Sequence, residues 1–212
     1  MNIHLASDTL WAMSRLTPED RRAALLDAIM RVVSQRGFAR TRVSDIAEEA
    51  EVSIGLLHRY FPTLDDALAE AFSVFAEREL ADLAARKGDS ARERLWFALD
   101  FDLSNDPDWR VWIDAFGEAL HRPALHRTVE RYNERWRGEL AAIIAEGVEA
   151  GEWRCDDPDE SSTRLLAAVD GIAVHLTLGG IPDGKKRANR WLAEALAREL
   201  GDPSFAQLPV SS

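Results

Sequence analysis

The stretch Thr41 to Phe61, TRVSDIAEEAEVSIGLLHRYF, decides the fold. It reads as two short helices, near Val43 to Ala50 and about Ile54 to Phe61. The tight turn Ala50-Glu51-Val52-Ser53 joins them. Ile46 and Ala47 turn one face of the first helix inward. Leu57 and Phe61, four apart, do the same for the second. Val43 and Val52 complete the apolar pins, and the small Ala47 lets the two helices cross closely. This is the anatomy of a helix-turn-helix. It leaves Ile54, Leu56, His58, Arg59 and Tyr60 largely outside the mini-core.

Helical signals continue on both sides. Thr17-Pro18-Glu19-Asp20 supplies an N-cap, a proline at the first helical position and acids in the first turn. Leu25, Ile29, Val32 and Val33 then recur at helical spacing, and Gly37 ends the run. Thr63-Leu64-Asp65-Asp66 opens a fourth helix reaching about Lys87. Ser90-Ala91-Arg92-Glu93 is a capping box, and Asp106-Pro107 opens a sixth helix. After Pro123, the residues Leu125, Val129, Tyr132, Trp136, Leu140 and Ile143 step by three and four toward Gly151. Asp157-Pro158 caps the next helix, and a last one covers about Lys186 to Leu200. From Gly201, with Pro203 and Pro209, the chain reads as a loose tail. No segment alternates with period two. The expected fold is all-α, about nine helices, with a three-helix head and a larger helical body. The expected domains are an N-terminal arm or extension over 1–16, a head over 17–63, a body over 64–200 and a flexible tail over 201–212. His4, Leu5 and Trp11 of the arm either pack on the head or fray.

The formal net charge is −11 across 212 residues. Its distribution matters more than its sum. Residues 1–64 hold 8 arginines and 8 acids, so the whole excess lies beyond them. That asymmetry is compatible with a DNA-facing head on an acidic body. No apolar run reaches the roughly 18 residues of a membrane span, and the N-terminus lacks the charge pattern of a signal peptide. A cytoplasmic protein with no membrane partner is expected. Cys155 is the single cysteine. It reads as a passive thiol near a turn, since a redox or metal role would need a partner.

At the head the sequence resembles the TetR family of regulators. The matching residues are Arg21-Arg22, Gly37-Phe38, Asp45-Ile46-Ala47, Val52-Ser53, Gly55, Leu57 and Tyr60-Phe61, within about residues 18–72. In the body, Val169-Asp170-Gly171-Ile172 resembles the dimer-forming helix of the branch related to betaine-pathway repressors. The resemblance implies a homodimer on a palindromic double-stranded DNA operator, released when a small effector binds the body. It places the Ser53 to Tyr60 helix in the major groove, with Thr41, Arg42, Ser44, Ser53, Ile54, Gly55, Leu56, His58, Arg59 and Tyr60 as contact candidates. Arg59 is the candidate for a guanine edge and Arg42 for the backbone. The sequence departs from the family pattern at Ile54 and Leu64, where many relatives have lysine, and at Leu56, where many have threonine. A shallower salt dependence than is usual for the family is expected.

The body concentrates aromatic residues, which serve core packing as readily as ligand contact. The candidates for a largely apolar or aromatic effector are Trp96, Phe97, Trp109, Trp112, Phe116, His121, Tyr132, Trp136 and His175. The expected dimer interface comprises Leu166, Val169, Asp170, Ala173, Val174, Trp191, Leu192 and Ala195, on two C-terminal helices. Asp170 is costly to bury alone and is expected to meet an arginine, a backbone donor or a ligand. No cofactor and no metal are expected: the five histidines are scattered, and no HExxH, GxGxxG or P-loop occurs. Two rivals stand beside this reading, a helical adaptor that does not bind DNA and a helical enzyme using the same aromatic region. No nucleophile–base pair supports the enzyme.

Overall fold

The computed structural model describes residues 17–101 and 106–207, with only the backbone of 106–108. The expected arm at 1–16 lies outside the described residues, as do 208–212. The described residues are all-helical. Nine helices follow one another: α1 (Pro18–Arg36), α2 (Val43–Glu49), α3 (Ile54–Tyr60), α4 (Leu64–Ala85), α5 (Ala91–Leu99), α6 (Asp106–Ala119), α7 (Pro123–Glu149), α8 (Pro158–Thr177) and α9 (Gly184–Glu199). A 3₁₀ turn, Pro203–Gln207, ends the described chain.

The caps form as their sequences demand. Thr17 accepts from the Asp20 amide at 3.1 Å, and Thr63 from that of Asp66 at 3.0 Å. Ser90 and Glu93 complete a reciprocal capping box. Asp157 accepts from the Glu160 amide at 3.0 Å. Each satisfies an amide that the first helical turn leaves without an intrahelical partner.

The helices form two compact units. One comprises residues through Glu77 together with Asp114–Glu130, and the other Arg78–Ile113 with Arg131 onward. In the first unit α1 packs on α2, and α2 on α3. Leu25, Ile29, Ile46, Leu57, Phe61 and Leu68 are buried. Phe38 meets Phe72 edge-on, with centroids 6.0 Å apart. Arg22 ties the unit together. Its guanidinium pairs with Glu70 at 2.5 Å, donates to the Tyr60 carbonyl at 2.9 Å and lies 4.8 Å from the Phe61 ring centroid.

The exit from α1 is built on Gly37, whose φ of 80° favours glycine. The Phe38 amide donates to Asp114 Oδ2 at 2.6 Å, and the Thr41 hydroxyl donates to the Gly37 carbonyl at 2.8 Å. A Cβ on Gly37 would stand 2.9 Å from Asp114 Oδ2.

The second unit has its own core, which includes Leu95, Leu99, Phe101, Leu140, Ile144, Trp153, Leu165, Val169, Leu192 and Leu196. Trp153 lies against Gly147, where any Cβ would overlap its ring, and its indole donates to the Ile144 carbonyl at 2.9 Å. Buried Asn189 accepts from the Phe101 amide at 3.0 Å and donates to Asp100 at 2.5 Å. These bonds satisfy polar groups that would otherwise be expensive to bury.

Residues 201–207 of the segment expected as a loose tail are ordered. Phe205 is fully buried and 5.6 Å from the Trp153 centroid. Arg92 lies over the Phe205 ring at 4.2 Å and pairs with Asp202. An aromatic side chain with a packing partner outweighs the local loop signals of Gly201 and Pro203.

Gly37→Ala combines a strained φ with a clash against a carboxylate. It is expected to lower unfolding free energy by about 2 kcal/mol. Urea denaturation measures this, and an unchanged midpoint would remove Gly37 from its assigned role.

Candidate nucleic-acid interface and sensor site

The turn residue Glu51 takes a left-handed conformation, φ 52°, between α2 and α3. The Val52 amide donates to the Ala47 carbonyl at 2.9 Å, which closes the turn. Ser53 then caps α3 by accepting from the Leu56 amide at 3.2 Å. Burial of Leu57 and Phe61 fixes the inner face of α3. Ser53, Ile54, Gly55, His58 and Arg59 are exposed, while Leu56 and Tyr60 are half-buried.

Of the other interface candidates, Arg42 and Ser44 are exposed at the start of α2. Thr41 is buried and its hydroxyl is committed to Gly37. The Tyr60 hydroxyl accepts from Arg21 at 3.4 Å. His58 also edges an apolar cleft lined by Ile29, Val43, Ile46, Leu57 and Phe61.

Acids neutralise several head arginines. Arg22 pairs with Glu70, Arg31 with Glu49 at 2.6 Å and Arg36 with Asp45 at 3.2 Å. Arg40, Arg42 and Arg59 are exposed, and their guanidinium groups have no acidic partner among the described residues; the Arg42 amide donates to Asp45 at 3.1 Å. Arg40 was absent from the sequence-derived candidates. Its signal was a cation in the turn beside the Gly37-Phe38 motif.

The sensor candidates do not all come together. Trp96, Phe97, Trp109 and Trp136 pack on the core of the second unit. Trp109 stands 5.3 Å from Phe101, centroid to centroid, and Arg86 lies 4.1 Å over Phe97. Trp112 and Tyr132 are buried in that unit, and the Trp112 indole donates to Glu79 at 2.6 Å. Phe116 and His121 belong to the other unit, and His121 is exposed.

Asp170, on α8, has neither an arginine nor a backbone donor as partner among the described residues. Burial lifts its carboxyl to about 6. His175, one turn further on, is exposed.

Within the expected dimer set, Val169, Ala173 and Leu192 are buried in their own chain's core. Leu166, Val174 and Ala195 are half-buried, and Trp191 is 41% exposed. Leu178, outside that set, is 77% exposed at the end of α8.

Two family descriptions match this chain. Residues 25–71 match the N-terminal region of bacterial regulatory proteins of the tetR family. Residues 89–201 match the C-terminal region of BetI-type transcriptional repressors. The chain belongs to the TetR family. Among its relatives is the HTH-type transcriptional regulator BetI of Paraburkholderia phymatum, 29% identical over 196 residues, covering 89% of this chain and 95% of that one. A transcriptional regulator from Saccharomonospora viridis, solved in complex with choline, superposes with a TM-score of 0.76 at 25% identity, covering 86% of this chain and 98% of that one. A TetR-family regulator from Rhodococcus superposes at 0.72 with 28% identity, covering 86% and 99%. This TetR-family regulator therefore has the all-helical architecture expected from its sequence. No helix among its described residues is long and apolar enough to cross a membrane.

Gly55 sits inside α3 with only Ser53 Oγ, at 3.9 Å, near its missing Cβ. Nothing among the described residues requires glycine there. Gly55→Ala is expected to stabilise the fold by about 0.5–1 kcal/mol. Thermal unfolding measures the change, and a loss of stability would reveal a contact this packing lacks.

Proposed function

We propose that this regulator is a homodimeric repressor that inserts α3 into the major groove of a palindromic operator and leaves it when the body binds a small organic cation. The carrying observation is the exposed α3 together with the exposed guanidinium groups of Arg40, Arg42 and Arg59, none of which has an acidic partner among the described residues. Ser53, Gly55 and Arg59 face base edges, while Arg40 and Arg42 contact phosphates. Arg59 supplies paired donors for a guanine edge. His58 and Ser44 border the same surface. Thr41 acts indirectly, by holding the turn that presents Arg40 and Arg42.

Two copies meet through α8 and α9, using Trp191, Leu178, Leu166, Val174 and Ala195. The isologous contact gives the two-fold symmetry that a palindrome needs.

The effector reading rests on Asp170, a half-buried acid with no partner, on the aromatic side chains packed in the same unit and on the choline-bound neighbour. A quaternary ammonium offers what both features recognise, a positive charge for the carboxylate and a polarising methyl shell for aromatic faces. Trp96, Trp109 and Trp136 are the aromatic candidates for its walls. Release of DNA needs only that the cation bind two body conformations unequally.

Binding to an operator selected from a random duplex pool tests the first half. Phosphate contacts from Arg40, Arg42 and Arg59 alone predict a slope of log affinity against log salt no steeper than about −5 for the dimer. A slope near −10 would overturn that count. Arg59→Ala should cost about 1–3 kcal/mol per half-site and relax selectivity at one base pair.

The second half has a pH signature. Asp170 ionises less readily in the fold than in the unfolded chain. Its charge therefore weakens the fold as pH rises from about 4 through 6. Asp170→Asn should raise unfolding free energy by about 2 kcal/mol at pH 8 and change nothing near pH 4. Choline, which favours the ionised carboxylate, should bind more tightly as pH rises through about 6 and then level off. Calorimetry that finds no choline binding, or a pH-independent affinity, would reject this effector class.

A further inference from the structure

Ile54 opens α3 with 47% of its surface exposed, one of few large apolar side chains so placed in the described chain. Leu56, two residues on, is half-buried. Between them stands Gly55, exposed, with no positive φ and no neighbour that forbids a side chain. A glycine inside a helix is less stable than alanine. The described residues give no reason for it, but a surface that must come flush against α3 does. Arg59 is exposed one helical turn beyond Gly55, and Arg42 at the start of α2. Their charge identifies the approaching surface as polyanionic.

An apolar side chain cannot hydrogen-bond a guanine, adenine or cytosine edge. In the major groove the apolar feature is the C5-methyl group of thymine. Successive residues of a helix are 100° apart, so Ile54 and Leu56 diverge on either side of Gly55 and reach different base pairs.

We propose that Ile54 and Leu56 recognise thymine by its methyl group, and that Gly55 lets the helix come close enough for both to make contact. Each operator half-site then carries thymines chosen for a carbon atom and not for a hydrogen bond. The inference rests on the DNA-binding reading above.

The test uses the full chain and the tightest duplex recovered from a random pool. A second duplex carries uracil in place of every half-site thymine. Uracil keeps the base pairing and removes only the methyl group. Loss of two methyl contacts per half-site, one at Ile54 and one at Leu56, predicts roughly fifteenfold weaker binding for each half-site replaced. Ile54→Ala and Leu56→Ala should each weaken binding to the thymine duplex, and the double variant should no longer distinguish the two duplexes. Ile54→Val should keep most of the discrimination. Equal affinity of the unaltered protein for both duplexes would overturn the proposal and leave DNA binding standing. Discrimination that survives in the double variant would also overturn it, assigning the effect to duplex stiffness. Failure to select any duplex above competitor would instead overturn the DNA-binding reading, and this proposal with it.

Discussion

The bond from the Phe38 amide to the Asp114 carboxylate is the constraint on which the head depends. It is short, 2.6 Å, and charge-assisted. It holds the chain at the point where α1 must stop and turn toward the helix-turn-helix. Gly37 is needed there twice: its φ lies in the region that glycine favours, and a Cβ would press on the same carboxylate. Thr41 then closes the turn by donating to the Gly37 carbonyl. With that turn set, Phe38 enters the core against Phe72 and α2 begins at Val43. The residue most directly responsible for placing the reading head thus lies 76 positions away in the sequence.

The head's balanced charge becomes directional through pairing. Glu70, Glu49 and Asp45 neutralise arginines that hold elements together. Among the described residues, Arg40, Arg42 and Arg59 keep exposed guanidinium groups without an acidic partner. A chain with a net charge of −11 gains little long-range attraction to DNA. Its binding must rely on contacts made at short range, where salt screens less and the shape of the surface decides more. An exposed isoleucine and a bare glycine on α3 are consistent with that division of labour.

Features set by neighbouring residues were legible in the sequence. Thr17, Thr63, Ser90 and Asp157 announced their helices because a cap is a contact across three residues. The helix-turn-helix was equally plain, since its apolar pins fall within about twenty positions. Features set by distant residues were not legible. Nothing near Asp114 signals its bond to Phe38, and nothing near Arg22 signals Glu70. Phe205 follows glycine and proline, and its burial depends on Trp153 and Arg92, which no local pattern names. The stripe of Val169, Ala173 and Leu192 was readable as apolar and helical. Periodicity cannot say whether such a stripe serves its own core or a second copy, and here it serves its own core.

That distinction redraws α8. Leu165, Val169 and Ala173 face inward, while Leu166, Asp170 and Val174 are half-buried, and Gly171 and His175 are exposed. Asp170 therefore stands where the helix passes from its own core to the surface assigned to the partner. A second chain laid along that surface would withdraw more water from the carboxyl. The charged form would then be still less favourable, and the need for a neutralising cation greater. A cation beside Asp170 and a partner along α8 would each reduce the cost of the other. In the proposed dimer, an effector cation at that position would do more than occupy the body: it would change the cost of the contact between the two copies.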